Sequence, residues 1–501
     1  MRISKVFTFI LAGLALCSSE SALGQSPEPP RQGEKRQNEN RPGENGPIAK
    51  KQYSKPSLSL SEAIQIAQNN DDWLQKSESL ERSLQSLSEG ATALPDPVLS
   101  LSLLNLPVDT FSFDQEAMTQ LKVGASQQFP RGDTLALEQD KLLAQAKVQP
   151  FLRVDRKNKV ALNASILWLD AYEAQQSLKI LEQSRPLFDS LSEFVTSAYR
   201  STAATRSTQQ DMIRAELELL RLNDRLLQFE TDKHVALKRL SQYLFNMNAL
   251  SEMATLNQQN DEGLLLSELS STISDSAKQQ LQILQASLRP SGQSKLFSYL
   301  SEHALVLASE QRVKASQFDT QIARESLKPQ YALNASYAYR DDASSGGGMI
   351  DSSRADFFSL GLSVSMPLFS SSRQDAQISS SIHSSEALKT EKRLVLRELA
   401  AGAKSAFEEY SGAAQRLAVY EKQIIPQMAQ YSDTAMNAYT NDNGDFAEVI
   451  RAKIAEIDAQ LTALTLRISL QKALSKIAYF FPTLSSKPSA PSVSLKSLPN
   501  E

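Results

Sequence analysis

The sequence predicts a mainly α-helical protein with a small β part, and three observations support this fold class. Apolar residues recur at helical spacing over most of the 501-residue chain. Two short regions alternate apolar and polar residues instead, which is the side-chain period of a β-strand. A helix, a strand pair and a long helical hairpin also follow one another twice along the chain, and this order indicates an internal duplication.

The clearest alternation lies in residues 331–340 and 358–366, on either side of a Ser/Gly-rich, acidic loop. Residues of one parity are apolar and often aromatic, whereas residues of the other parity are mostly small or polar. Runs of about ten such residues have the length that a tilted strand needs to cross a bilayer. The residues then expected to face lipid are Leu333, Tyr337, Leu360 and Leu362, and those expected to face a lumen are Asn334, Ser336 and Ser363.

A fainter alternation occurs earlier, in residues 99–103 and 120–129. The sequence therefore predicts four strands in two hairpins. Four strands cannot close into a barrel, and an open sheet edge is not tolerated in lipid. If these strands span a membrane, several chains must therefore share one barrel. The alternative is a small soluble sheet with one solvated face, which short alternating runs fit equally well.

Helical patterns make up most of the remaining chain. Leu219, Leu222 and Leu226 are spaced three and four residues apart, which predicts a coiled-coil seam, and the last helix has the same spacing. In the first half, the predicted long helices run from about Glu62 to Thr92, from Pro130 to Tyr199 with breaks only at Pro150 and Pro186, and from Gln209 to Leu244. In the second half, they run from His303 to Leu327, from Pro367 to Tyr439 and from Phe446 to Phe480. Short helices are expected at Leu264–Leu269 and Ala277–Leu288.

The duplication extends to single landmarks. Pro186 precedes Tyr199 at the same spacing at which Pro426 precedes Tyr439. The polar, Pro-rich ends of the chain show no periodicity, so we expect them to be disordered. The expected segments are a signal peptide at 1–24, a leader at 25–56, the first repeat at 57–245, a connector at 246–300, the second repeat at 301–481 and a tail at 482–501.

The first residues have the pattern of a secretory signal. Arg2 and Lys5 precede an apolar run that is too short to span a membrane, and Gly24 fits the position before cleavage. Cys17 is the only cysteine, so its removal with the signal would leave no disulfide or thiolate site in the mature chain. The alternative is that Cys17 becomes a lipid-modified N-terminus, although Leu16 stands where such signals usually have a small residue. Both interpretations indicate a bacterial envelope.

Composition and motifs argue against an enzyme and against a nucleic-acid-binding protein. Charged residues make up 22% of the chain and the net charge is −4, so no basic excess is available for nucleic acid. The three histidines are far apart, and no nucleophile, phosphate-loop or metalloprotease motif is present. We therefore expect no catalytic residue, no metal site and no cofactor.

Three stretches, together with the duplicated order of elements, carry a resemblance to a known family. They are Leu94-Pro95-Asp96-Pro97 before the first strand, Gln127-Gln128-Phe129-Pro130 at the end of the second strand, and the turn at residues 207–216. From about residue 58 to residue 480 the chain resembles the TolC-type outer-membrane efflux channels. Residues 103–118, which include Asn105-Leu106-Pro107-Val108, are similar to members that serve heavy-metal exporters.

The resemblance implies a homotrimer in the outer membrane of a Gram-negative bacterium. Its subunits would share a twelve-stranded β-barrel in outer-membrane lipid, continued across the periplasm by a coiled-coil tunnel. It also implies passive export, with a periplasmic adaptor (membrane fusion protein) that opens the channel and an inner-membrane pump, expected to be proton-driven. In the family the hairpin tips narrow the tunnel and dock the adaptor. The residues implied at the adaptor-docking tip are Tyr199, Arg206, Asp211 and Arg214, and those implied at the tunnel entrance and gate are Tyr439, Asp442, Asp445, Glu448 and Arg451.

Two interpretations of the second tip stay open. Asp442, Asp445 and Glu448 are close together, and threefold symmetry would turn each into an acidic ring that selects or retains cations. They also suit the start of a helix, where the dipole favours carboxylates, and the two roles are compatible. The tips depart from the family at Thr202 and Asp442, where the family usually has glycine. For the whole protein, the alternative to an export channel is a periplasmic structural coiled-coil protein.

Overall fold

The computed structural model describes residues 57–200, 209–245, 265–269, 275–287, 289, 292–342, 354–368, 372–441 and 445–481. The predicted signal peptide, leader and tail lie outside these ranges, and so does Cys17. Among the residues that are described, no helix combines the length and the apolar character needed to cross a membrane.

Long helices dominate the fold, and the strands are short. The helices are α1 Leu60–Asn69, α2 Asp72–Gly90, α3 Thr134–Ala146, α4 Val148–Arg200, α5 Gln209–Leu244, α6 Asp275–Ser287, α7 Gln293–Ser301, α8 Ala304–Glu325, α9 Ser372–Val419, α10 Ile425–Thr440 and α11 Phe446–Phe480. The strands are β1 Ser57–Leu58, β2 Val98–Leu104, β3 Gln120–Phe129, β4 Leu265–Leu266, β5 Gln330–Tyr339 and β6 Phe357–Ser365. The predicted strand pairs and long hairpins are confirmed, with the corrections that follow.

The single helix predicted over residues 62–92 is wrong, because Asn70 and Asp71 separate α1 from α2. Asn70 Nδ2 donates a hydrogen bond to the backbone oxygen of Leu244 at 2.6 Å. Asp71 caps the start of α2 and also binds Arg156 Nε at 2.7 Å. These contacts with distant residues favour a junction at a place where the local apolar pattern is continuous.

The break predicted at Pro150 is also wrong, since α3 and α4 separate at Lys147. Pro150 lies in the first turn of α4, where backbone N–H groups have no helical partner and proline is well tolerated. The break predicted at Pro186 is wrong too, because Pro186 lies inside α4 without ending it. The helix has 53 residues and is therefore about 80 Å long.

The connector contains a strand where the sequence predicted a short helix. Leu265 and Leu266 form β4, which pairs in parallel with β1. The side chain of Gln175 on α4 accepts a hydrogen bond from Leu266 N at 3.1 Å and donates one to Leu266 O at 3.3 Å. A ladder this short depends on such tertiary bonds, which no local pattern shows. The second short helix predicted in the connector is confirmed as α6.

The second repeat contains the same long helical hairpin with one local difference. A π-helical turn at Tyr420–Ile424 joins α9 to α10. Pro426 follows one residue after this turn. It has no N–H to complete an ordinary helical hydrogen bond, and the wider turn accommodates this loss. The hairpin then returns through α11, which packs against α9, α10 and α4, so that the two helical hairpins lie side by side.

The four longer strands form one antiparallel sheet in the order β2–β3–β5–β6. The pair β3–β5 joins the two repeats. Gly124 sits at the centre of β3, where an added Cβ would lie only 2.7 Å from Ser100 Oγ on β2. A side chain at this position would therefore displace the neighbouring strand or its serine.

The hydrophobic core is distributed along the helices rather than gathered at one centre. One cluster surrounds Trp168, whose Nε1 donates to the backbone oxygen of Leu58 at 3.1 Å. A second lies near the hairpin tips around Phe446 and Ile450. A third lies where α6, α7 and α8 meet α9 and α11, around Leu300. The helical part is thus held at several levels along its length.

Candidate functional site

The register of the sheet gathers the alternating apolar residues on one face. Leu333 lies directly opposite Leu362, and Tyr337 lies opposite Phe358. Directly opposed residues share a face of the sheet, so these four side chains form one surface with Leu360. Leu360 and Leu362 are each 67% exposed. On β2 and β3 the same face continues with Leu99, Leu101, Leu103, Leu121, Val123 and Phe129, and is interrupted by Gln127.

The other face of the sheet is polar or carries small side chains. Asn334 lies opposite Gly361, and Ser336 lies opposite Ser359. Asn334 Nδ2 also donates to Ser363 Oγ at 3.4 Å. The separation of one apolar and one polar face, which the sequence predicted, is therefore present. Which face meets lipid and which meets a lumen stays a prediction.

Both edges of the sheet are open within the described part of the chain. Neither β2 nor β6 has a second strand neighbour there, and β6 is exposed along its whole length. An open edge presents unpaired backbone N–H and C=O groups, which lipid cannot satisfy. A sheet of this kind needs further strands if it is to lie in a membrane.

The second hairpin tip is built around the start of α11. Asp445 is the N-cap of this helix and accepts a hydrogen bond from Ala447 N at 3.2 Å. This contact supports the interpretation of Asp445 as a helix-start carboxylate and leaves the ring interpretation open, because one carboxylate can serve both roles. Asp442, the other aspartate predicted at this tip, lies outside the described residues.

Glu448 connects both helices of the second tip. Its Oε2 lies 2.9 Å from Arg451 Nη2 on α11, and its Oε1 accepts a hydrogen bond from the hydroxyl of Tyr431 on α10. The bond to Glu448 raises the pKa of Tyr431 above its usual value. Arg451 also donates from Nε to the backbone oxygen of Ala447 at 3.2 Å. The spacing of Glu448 and Arg451 predicts their pairing. The contact of Tyr431 with Glu448 could not be predicted from the sequence, because it depends on the register of the hairpin.

Tyr439, near the end of α10, makes a hydrophobic contact at the second tip. Its ring lies 5.8 Å from that of Phe446, across the turn between α10 and α11. Both rings belong to the cluster that also contains Ala215 and Leu222 of the first hairpin. The tips of the two hairpins therefore pack against each other in one hydrophobic cluster.

At the first tip, the predicted docking residues differ in their exposure to solvent. Asp211, in the first turn of α5, is buried, whereas Arg214 is exposed on the same helix. Tyr199 lies in the last turn of α4, and its side chain is outside the described part of the structure. Arg206 lies in the turn that the structure does not describe. Of the four, Arg214 is the one whose side chain is seen at the surface.

The described residues contain no cluster of three or more His, Cys, Asp or Glu side chains that could hold a metal ion. His303 has a structural place instead. It is 1% exposed and caps α8, where its Nδ1 accepts a hydrogen bond from Leu305 N at 3.3 Å. Its Nε2 lies 3.3 Å from the backbone oxygen of Tyr479 at the end of α11.

Comparisons with known proteins agree with this architecture. Residues 298–479 match the family model described as outer membrane efflux protein. The outer-membrane channel OprN is similar in structure, with 14% identity and a TM-score of 0.64 over 84% of this chain and 89% of that chain. The CmeC channel of Campylobacter jejuni has 9% identity and a TM-score of 0.63 over 84% and 85% of the two chains. CusC has 13% identity and a TM-score of 0.62 over 85% and 92%. A search of curated proteins finds no match.

At such identities the solved structures establish the fold, and the family model supplies a link at the level of sequence in the second repeat. The fold is that of the TolC-type channels, with long helical hairpins continuing from a small sheet. Residues 298–479 are thus similar in sequence to the outer membrane efflux protein family, and most of the chain has the fold of solved outer-membrane channels.

Proposed function

We propose that three copies of this chain form one export channel. The observation that carries the proposal is the four-stranded sheet with one apolar face and two open edges. Three such sheets would supply twelve strands, enough to close a barrel, and closure removes every edge. In this arrangement Leu333, Tyr337, Leu360 and Leu362 face outer-membrane lipid, and the polar face lines the passage.

The helices support a trimer independently of the strands. On α5, Ala215 and Leu222 point into the core of the chain. The same helix exposes a second apolar stripe to the outside of the chain. A helix with two apolar stripes needs two partners, and a neighbouring subunit in the tunnel wall is the second. The exposed stripe consists of Ile213, Leu217, Leu220 and Leu227.

The channel conducts passively, and its partners supply energy and control. A periplasmic adaptor docks at the hairpin tips, and an inner-membrane pump drives the cargo through the open tunnel. Arg214, exposed at the first tip, is the best-placed docking contact, and Tyr199 and Arg206 are further candidates close to it in the sequence. Selection of cargo belongs largely to the pump, and a heavy-metal cation is the candidate that residues 103–118 favour.

The second tip forms the gate. Glu448 holds Arg451 and Tyr431 together, so that α10 and α11 are fixed to each other where the tunnel is narrowest. An exposed ion pair alone contributes well under ~1 kcal/mol. Three copies around one mouth add their contributions and together favour the closed state.

The test of the trimer is electrophoresis of outer-membrane fractions with and without heating. A heat-modifiable trimer band in the outer membrane supports the channel. A monomer in the soluble periplasmic fraction contradicts it and favours the alternative, a structural coiled-coil protein of the periplasm.

A further inference from the structure

The loop between β2 and β3, residues 105–119, has a closed base. Asn105 lies in the left-handed region with φ +56°, and its Nδ2 donates to the backbone oxygen of Met118 at 3.1 Å. Thr119 Oγ1 donates in return to the backbone oxygen of Asn105 at 2.8 Å. These two bonds join the ends of the loop, so the segment between them has a defined shape.

Two arginines tie this loop to the second strand pair. Arg354, just before β6, donates from Nη1 to the backbone oxygens of Asp114 at 3.4 Å and Glu116 at 3.2 Å. Arg340, just after β5, donates from Nη1 to the backbone oxygen of Ala117 at 3.3 Å. These bonds hold the loop against the chain segments that follow β5 and precede β6.

The apex of the loop exposes two apolar side chains, and the backbone is strained at one of them. Phe111 has φ +50°, a conformation that bulky residues rarely adopt, and its side chain is 70% exposed. Its backbone N–H donates to the oxygen of Pro107 at 3.0 Å, which holds the turn. Val108, on the same turn, is 83% exposed. A loop in water gains nothing from presenting these two side chains.

The apex continues the apolar face of the sheet. Phe113 stacks on Tyr339, with ring centroids 6.2 Å apart and an interplanar angle of 12°. Tyr339 lies opposite Leu121 and shares the face of Tyr337. The loop thus lies at the end of the sheet away from the helices, and its Phe113 extends the apolar face there. Aromatic residues gather at this level in membrane barrels, where ring and headgroup layer meet.

We propose that Val108 and Phe111 rest in the headgroup layer of the outer leaflet and anchor the loop to the lipid around the barrel mouth. The lipid is the occupant because Phe113 of the same loop packs on Tyr339, which belongs to the apolar face proposed to meet lipid. In the proposed channel the helices extend into the periplasm, so this end of the sheet meets the outer leaflet. The inference rests on the proposed lipid-facing assignment of that face.

The experiment uses the full-length trimer in vesicles of phosphatidylethanolamine and phosphatidylglycerol. Val108→Cys and Phe111→Cys each carry an environment-sensitive fluorophore, which is quenched either by a headgroup nitroxide lipid or by aqueous iodide. Gln115→Cys is the aqueous control in the same loop, and Leu360→Cys is the control within the apolar face. The signal of the labelled unsubstituted chain is subtracted, which accounts for any label on Cys17.

The expected result is quenching of the 108 and 111 labels by the headgroup nitroxide at least twice as strong as for the 115 label, with the order reversed for iodide. Labels at 108 and 111 that behave like the 115 label overturn the proposal, and so do labels shielded from both quenchers, which would indicate a protein contact. If the 360 label also escapes lipid quenchers, the lipid-facing wall itself is wrong. If only the 108 and 111 labels are not quenched by lipid, the proposed channel remains supported and the proposed lipid anchor is wrong.

Discussion

Glu448 is the residue on which the proposed gate depends. Removing its charge in Glu448→Gln, or its partner in Arg451→Ala, breaks the 2.9 Å ion pair that fixes the start of α11. Because the pair occurs three times around the proposed mouth, we expect a higher single-channel conductance of the isolated trimer in planar bilayers. Tyr431→Phe removes one hydrogen bond from the same carboxylate and should have the same effect to a smaller degree.

A second exposed ion pair offers a matched control for the gate. Glu386 and Lys389 have the same spacing and lie 2.7 Å apart on α9, away from the tip. Glu386→Gln should leave the conductance unchanged. If Glu448→Gln and Arg451→Ala also leave it unchanged in an inserted trimer, the gate lies elsewhere.

His303 makes the stability of the helical part depend on pH. Its buried ring caps α8 through an unprotonated Nδ1, and burial lowers its pKa although Asp155 opposes this effect and Lys159 adds to it. The pKa is lower in the folded than in the unfolded chain, so stability is complete above about pH 6.5 and falls as the pH drops below that value. Thermal unfolding followed by circular dichroism should show a lower midpoint at about pH 5.5 than at about pH 7.5.

The variant His303→Asn distinguishes the capping role of residue 303 from the effect of its protonation. Asparagine is a good N-cap without a titratable group, so this variant should keep the helix start and lose much of the pH dependence. His303→Ala removes the cap at both pH values, at a cost of ~1 kcal/mol. An equal pH dependence in the protein and in His303→Asn would contradict the account.

The two aspartates of the second tip test the acidic rings. Asn replaces Asp at an N-cap with little loss, so Asp445→Asn should retain the cap of α11 while removing the charge. In combination with Asp442→Asn, we expect a weaker cation preference in the reversal potential and weaker block by multivalent cations. If ion selectivity stays the same, the carboxylates serve the helix start alone.

At the scale of elements, the strands should distinguish their two faces. Leu360→Arg places a charge on the face proposed to meet lipid, near the middle of β6, and should cost ~2–4 kcal/mol, whereas Ser363→Arg on the polar face should cost much less. The yield of heat-modifiable trimer measures this difference. Labelling of Leu362→Cys and Ser363→Cys by a water-soluble reagent provides a second measure, and equal labelling of both would show that the alternation is not a membrane wall.

The sequence predicts the elements whose period is long or regular, and it misses those that depend on distant contacts. The four longer strands β2, β3, β5 and β6 and the helices α5 and α11 follow from side-chain periods alone. The junction at Asp71 and the strand β4 do not, because Arg156 and Gln175 that stabilise them belong to another helix. At the gate, the spacing of Glu448 and Arg451 is visible in the sequence, whereas the contact with Tyr431 requires the register of the hairpin.

At the scale of the whole molecule, one chain leaves two kinds of surface uncovered. Within the residues that the structure describes, the sheet has open edges at β2 and β6, and α5 exposes a second apolar stripe. Both are explained if copies are arranged around a threefold axis, since the strands then close a barrel and the helices close a tunnel. The central claim is therefore that β2 of one subunit pairs with β6 of the next.

The most direct test is oxidative cross-linking between these two edges. Ser100→Cys on β2 is combined in turn with Ser359→Cys, Gly361→Cys or Ser363→Cys on β6, all on the polar face. Within one chain the two strands are about 14 Å apart across the sheet, beyond the reach of a disulfide. The account predicts that at least one pair gives a covalent ladder in the outer membrane that ends at the trimer, while the single variants do not. Chains that stay monomeric in all three pairs would contradict a shared barrel.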